Sequence, residues 1–317
     1  MDRLLALVFA CLVAVPAWGS ELSLDPAKLK LKSANVLVID ASADTPIYSK
    51  AADEVTPIAS VTKLMTAMVV LDGGQPLDEE LTVSLDDFDF LKGSGSRLRM
   101  GTVLTRREML QLALMSSENR AASALARYYP GGRPAFVEAM NAKAQLLGMS
   151  RTHYADSTGL SPDNVSTAND LAKLVRAASD YALIREFSTT PSHYVELQPT
   201  GKLLGFNNSN GLVKSHDWDI QLQKTGYIRE AGKCLVMMAT IASRPMVIVL
   251  LDSLGQYTRI ADAQRVKHWL ETGEELPVRA AKAAQRGVRN AVAAVKGKRV
   301  KGSFEPRLAR SGKSGGA

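Results

Sequence analysis

Cysteine is almost absent from this sequence of 317 residues, which holds only Cys11 and Cys234. Cys11 falls in a leader expected to be removed, so one thiol remains and no internal disulfide can form. The fold must therefore rest on an apolar core. Cys234 lies in the run Cys234-Leu235-Val236-Met237-Met238, where a buried structural thiol is expected. Aromatic residues make up 6% of the chain, too few to suggest a base-stacking surface, and no nucleic-acid partner is expected. No stretch reaches 18 apolar residues, so no membrane-spanning helix is expected. The four histidines (His153, His193, His216, His268) have no metal-binding spacing, and neither H-E-x-x-H nor G-x-S-x-G occurs. Nothing therefore points to a zinc peptidase or an α/β-hydrolase, and no metal or organic cofactor is expected.

Acidic residues are scarce at the carboxy end. Residues 278–317 carry eleven Lys and Arg against Glu305 alone, a net +10. The whole chain is formally +7, which leaves −3 for the rest. The basicity belongs to a tail rich in Ala, Arg, Lys and Gly, a composition that cannot build a core. A disordered tail is expected, with at most loose electrostatic association with anionic envelope polymers. Such attraction is screened beyond roughly 8 Å at physiological ionic strength.

At the other end, Arg3 precedes an apolar run from Leu4 to Val15, and Ala17-Trp18-Gly19 offers a small-x-small cleavage site. This reads as a signal peptide over residues 1–19, so a soluble, exported, periplasmic protein is expected. Hydrophobic residues at 46% and charged residues at 22% then suit a globular body over 20–277.

Within that body, Asn35–Asp40 and Pro46–Lys50 read as a hairpin. From Ser60 to Asp72 the apolar spacing predicts a helix buried along one face. Residues from about 75 to 211 read as a mainly helical subdomain. There Thr105-x-x-Glu108 is a capping box, Pro134 opens a helix that stops at Gly148, and Thr167-x-x-Asp170 opens another through Asp180. Lys92-Gly93-Ser94-Gly95-Ser96 reads as a flexible loop. Strand-like runs return at Ile220–Tyr227, Lys233–Ile241 and Arg244–Leu251, before a helix over Tyr257–Glu271. The result is an α/β arrangement in which the first and last segments share a sheet.

Three short motifs carry the chemistry. In Ser60-Val61-Thr62-Lys63, residues three apart share a helix face, so hydroxyl and amine can be hydrogen-bonded neighbours. A serine at a helix start also meets free backbone N–H groups that favour a developing anion. This is a nucleophile and base pair if burial keeps the lysine neutral. By itself the motif is weak, since S-x-x-K arises by chance about once per 300 residues. Ser117-Glu118-Asn119 supplies a hydroxyl and an amide that could relay a proton and hold a substrate amide. A decoy, Ser33-Ala34-Asn35, leads into the first strand and precedes Ser60. Lys224-Thr225-Gly226 lies in a strand-like run, where lysine and hydroxyl could bind a carboxylate and glycine admits a close backbone.

Taken in order, the three motifs resemble those of the low-molecular-mass penicillin-binding proteins, the serine D-alanyl-D-alanine peptidases of family S11. The resemblance covers about residues 34–274. It extends to Asp156-Ser157-Thr158-Gly159-Leu160 with Ser166-Thr167-Ala168, and to Tyr227 with Glu230-Ala231-Gly232. It implies a β-lactamase/transpeptidase-like fold: a mainly antiparallel sheet packed with helices, plus a helical subdomain. It also implies catalytic Ser60, Lys63, Ser117 and Asn119, and an oxyanion hole from the backbone N–H groups of Ser60 and Tyr227. Substrate binding falls to Lys224, Thr225 and Gly226, with Arg259 carried over by position. The implied partners are peptidoglycan stem peptides, and β-lactams as acylating inhibitors.

The peptidase-like region ends near residue 274 with no second β-rich domain and amphipathic anchor after it, which points to the endopeptidase branch. A D-alanyl-D-alanine carboxypeptidase is the alternative within the family. A non-catalytic wall-binding or β-lactam-sensing protein is the alternative outside enzymes. Class A β-lactamases use a glutamate with asparagine four residues on, and no glutamate here has one.

Overall fold

The computed structural model describes residues 24–43 and 45–277. The expectations for the leader and for the basic tail fall on residues outside these. The N-terminal hairpin forms as expected, from β1 (Ser33–Asp40) and β2 (Pro46–Lys50). After β3 (Thr56–Pro57), a 3-10 turn over Ala59–Thr62 runs directly into α1 (Lys63–Asp72). A middle segment follows: β4 (Glu80–Thr82), β5 (Val103–Thr105), α2 (Arg106–Met115), α3 (Asn119–Arg127), α4 (Gly132–Leu146) and β6 (Val165–Ser166). Next come α5 (Ala168–Ser179), α6 (Ala182–Thr189) and the hairpin of β7 (Ser192–Leu197) and β8 (Lys202–Asn207). The chain closes on β9 (Asp219–Ile228), β10 (Gly232–Ile241), β11 (Arg244–Ser253) and α7 (Thr258–Thr272).

The central sheet has five strands in the order β2-β1-β11-β10-β9, and every pairing is antiparallel. Successive side chains on a strand face opposite ways. Leu37, Ile39, Val236, Val247 and Val249 thus enter one core with α1, α2 and α5, while Val36, Val38, Leu235, Met237 and Ile248 enter another with Ile260, Val266 and Trp269 of α7. Because both faces are covered, β10 and β11 read as continuous apolar runs rather than alternating ones. Cys234 is fully buried there, and burial pushes its thiol up to about 11. Among the described residues, no helix is long and apolar enough to cross a membrane.

Two local expectations need correction. Helix α1 is buried all round from Lys63 to Val70, not along one face, because α2, α3, α4, α5 and α6 pack around it. The buried threonines of the turn and the helix are tolerated because each has a partner: Thr62, just before α1, donates to Ala59 O at 2.8 Å and Thr66 to Ser157 O at 2.7 Å. The hairpin β7–β8 falls inside the stretch read as mainly helical. The capping box at Thr105 and Glu108 forms, and Thr167 caps α5. Helix α4 starts at Gly132, two residues before Pro134, whose ring is accepted in a first turn.

Candidate active site

The 3-10 turn brings Ser60 beside the first residue of α1. Lys63 Nζ lies 2.9 Å from Ser60 Oγ and also donates to Asn119 Oδ1 at 2.7 Å and to Thr158 O at 2.6 Å. Lys63 is fully buried, and burial lowers its pKa to about 7 against the opposing pull of Asp156 and Glu118. Asn119 Oδ1 and the Thr158 carbonyl can only accept. A neutral Lys63 therefore gives its two N–H groups to them and turns its lone pair toward the Ser60 hydroxyl. That is the arrangement a general base needs.

Ser117 sits between α2 and α3 with φ 61°, a left-handed conformation that a non-glycine residue adopts only when its surroundings impose it. Its Oγ accepts a hydrogen bond from Lys224 Nζ at 2.9 Å. Asn119 opens α3 and, besides receiving Lys63, donates through Nδ2 to Ser94 Oγ at 2.8 Å. Lys224 is buried and donates as well to Thr225 O at 2.9 Å. Burial, Lys63 and Arg259 all push the Lys224 pKa well down. Burial is the largest cause of the lowering at both Lys63 and Lys224.

Lys224, Thr225 and Gly226 lie on β9, the edge strand of the sheet. Gln223 N donates to Ser188 Oγ and Thr225 O accepts from Lys224, both away from β10. Alternation along the strand then puts the Tyr227 N–H on that same free edge. A Cβ at Gly226 would lie 2.9 Å from Ile58 O and 3.1 Å from Ser60 N, so glycine lets the strand close on the nucleophile turn. Thr225 Oγ1 donates to Ser209 Oγ at 2.8 Å, and Arg259 reaches the motif through its Nη1, which donates to Gly226 O at 2.9 Å. A cavity of about 490 Å³ opens over Ser60, with Asn119, Ser94 and Leu91 on one wall and Tyr227, Ile228 and Glu230 on the other. All the residues expected from the motifs thus converge, while the decoy Ser33 bonds Asp262 and Ser253 at the far edge of β1.

Comparison with known proteins gives the family. The family described as D-alanyl-D-alanine carboxypeptidase, peptidase S11, matches residues 23–255. The chain belongs to peptidase family S11. It is 51% identical over 261 residues to a D-alanyl-D-alanine endopeptidase of Pseudomonas aeruginosa, covering 82% of this chain and 84% of the relative. It is 48% identical over 252 residues to a D-alanyl-D-alanine endopeptidase of Escherichia coli, covering 80% and 81%. A crystal structure of a Streptomyces DD-transpeptidase superposes with a TM-score of 0.71 at 29% identity, over 77% of this chain and 98% of that one. The β-lactamase/transpeptidase-like α/β fold expected from the motifs is the fold of this S11 peptidase.

The structure also brings to the site of this S11 peptidase residues that motif reading gives no role. Ser94 holds Asn119 from a loop read only as flexible. Thr158 bonds Lys63 through its carbonyl, which no side-chain pattern can reveal. Asp156 organises that loop by accepting from Thr158 N, Gly159 N and Ser161 N at 2.5–2.7 Å. Gly159 has φ +80°, and a Cβ there would lie 2.0 Å from Ala59 O and 2.8 Å from Ser60 N. Gly159→Ala should therefore destabilise the fold by about 2–4 kcal/mol, combining a left-handed backbone cost with a clash against backbone. Thermal unfolding and labelled-penicillin acylation check this; a stable protein that acylates normally contradicts it.

Proposed function

We propose that this protein is an exported serine D,D-peptidase of peptidoglycan metabolism that cleaves D-alanyl cross-links between stem peptides through a Ser60 acyl-enzyme. The observation that carries the reading is the Lys63 amine, held by two acceptor-only carbonyls with its third direction on Ser60 Oγ. Ser60 attacks the carbonyl of the D-alanine before the scissile bond while Lys63 takes the hydroxyl proton. The oxyanion is received by the backbone N–H groups of Ser60 and Tyr227. Ser117 passes a proton to the leaving amine, and Asn119 fixes Lys63 and the substrate amide. The carboxylate on the leaving side binds Lys224 and Thr225, with the positive charge of Arg259 close behind. That carboxylate favours the charged form of Lys224, and the resulting cation keeps Lys63 neutral. Water then attacks the acyl-enzyme and releases the peptide. β-Lactams acylate the same serine.

In the endopeptidase reaction the leaving amine is the side chain of a diamino acid in a neighbouring stem, so cleavage opens a cross-link. The two endopeptidase relatives at 51% and 48% identity favour this over trimming of terminal D-alanine. The same residues serve both reactions, so products decide. Incubated with a cross-linked dimeric muropeptide and with a pentapeptide monomer, the enzyme should split the dimer at higher kcat/KM than it releases free D-alanine. The reverse order makes it a carboxypeptidase, and turnover of neither would leave a β-lactam-sensing protein. The basic segment 278–317 is assigned loose retention on anionic wall polymers.

A further inference from the structure

The cavity over Ser60 is crossed at one end by charges the mechanism does not use. Lys92 Nζ, from the loop on the Asn119 wall, donates to Glu230 Oε1 at 2.5 Å, from the β9–β10 turn on the opposite wall. Both side chains line the same cavity as Ser60, with Arg229 next to them and Leu91, Leu160 and Ile228 supplying apolar surface between. The Lys92 loop is held in place. Asp89 accepts from Leu91 N at 2.9 Å, Lys92 N at 2.8 Å and Ser94 N at 2.7 Å, and Ser94 in turn meets Asn119. The pair is partly exposed, its side chains 26% and 39% accessible. Such ion pairs contribute little to stability and exchange readily for other charged partners.

We propose that Lys92 and Glu230 are specificity residues which select an acyl-donor stem whose residue before the scissile D-alanine carries both an amine and a carboxylate on its side chain. A cleft end where one wall offers a cation and the other an anion a hydrogen bond away complements a zwitterionic group: its carboxylate takes Lys92 and its ammonium takes Glu230. A side chain bearing an amine alone satisfies Glu230 and leaves Lys92, beside Arg229, without an anion. The leaving-side carboxylate is already assigned to Lys224 and Thr225, so this pair reads the other half of the substrate. The inference rests on the proposed D,D-peptidase activity and names the stem chemistry that activity would prefer.

The test uses the full chain carrying Ser60→Ala, which cannot cleave, so affinity is measured whether or not the proposed turnover is correct. Two synthetic peptides ending in D-alanyl-D-alanine differ only in the preceding residue, 2,6-diaminopimelate or lysine, and are titrated calorimetrically. The diaminopimelate peptide should bind about tenfold more tightly, as expected for a charged group whose partner is missing in the analogue. Adding Lys92→Ala or Glu230→Ala should bring the two affinities within about twofold of each other. The double swap Lys92→Glu with Glu230→Lys keeps an ion pair but reverses it against groups fixed at one stereocentre, and should also lose the preference. Equal affinities for the two peptides, or a preference that survives the alanine variants or the swap, would overturn the inference. Thermal melting of each variant shows that it is folded. Turnover of cross-linked dimer by the Ser60 enzyme separately tests the activity, so either idea can fail alone.

Discussion

Ser60→Ala should abolish covalent labelling by penicillin and lower cross-link hydrolysis by about 10⁴–10⁶-fold, the range seen when a nucleophile acting as a unit with its base is removed. Melting should be nearly unchanged, because Ser60 is only half-buried at the cleft and its hydroxyl bonds to Lys63, while its backbone contacts survive the change to alanine. The comparison separates catalysis from folding: a well-folded variant with normal labelling would show that another residue is acylated. Among the described residues, the structure offers no second candidate with the same surroundings. Ser117 is bonded to Lys224 and Ser94 to Asn119, whereas Ser60 faces the amine whose remaining partners are acceptor-only carbonyls.

The second large effect concerns Lys63. Its pKa is lowered to about 7 by burial, so the neutral base form grows as pH rises through that value. Acylation kcat/KM should therefore rise about tenfold per pH unit below about 7 and level off above it, the direction required when the deprotonated form is active. Lys63→Ala should cost about 10³–10⁴-fold, near the upper range for loss of a general base. Lys63→Arg should be as poor at every pH from 6 to 9, because a guanidinium keeps its proton throughout. Stopped-flow acylation across that range checks both. A wild-type profile flat from pH 5 to 9, or an active arginine variant, would remove Lys63 from the role of base.

The side chains of the candidate site were legible in the sequence because the chemistry proposed for them is tied to spacing. Ser60 and Lys63 are one helical step apart, Ser117 and Asn119 bracket a helix junction, and Lys224-Thr225-Gly226 interrupts an apolar strand with polar groups that need a function. The long C-terminal strands were legible because burial on both faces leaves a dense apolar signal. What escaped was what the backbone does. The carbonyl of Thr158 has no sequence signature, and Ser94 meets Asn119 from 25 positions earlier in the chain. The hairpin β7–β8 was lost for a different reason: only Val195, Leu197 and Phe206 on its two strands are buried, so its alternation is faint. For α1, the apolar stripe was visible but its complete enclosure was not, since Thr62, Thr66 and Lys63 look like a solvent face until their partners are known.

The central claim is that Ser60 forms the acyl-enzyme, and peptide mapping tests it most directly. The protein is trapped with a penicillin, denatured, digested with trypsin and analysed by mass spectrometry. Cleavage after Lys50 and Lys63 releases residues 51–63, in which Ser60 is the only serine. This peptide should carry the full mass of the ring-opened penicillin, with fragment ions placing it on Ser60. An adduct confined to any other peptide, or none under conditions where the intact protein binds the drug, would contradict the account.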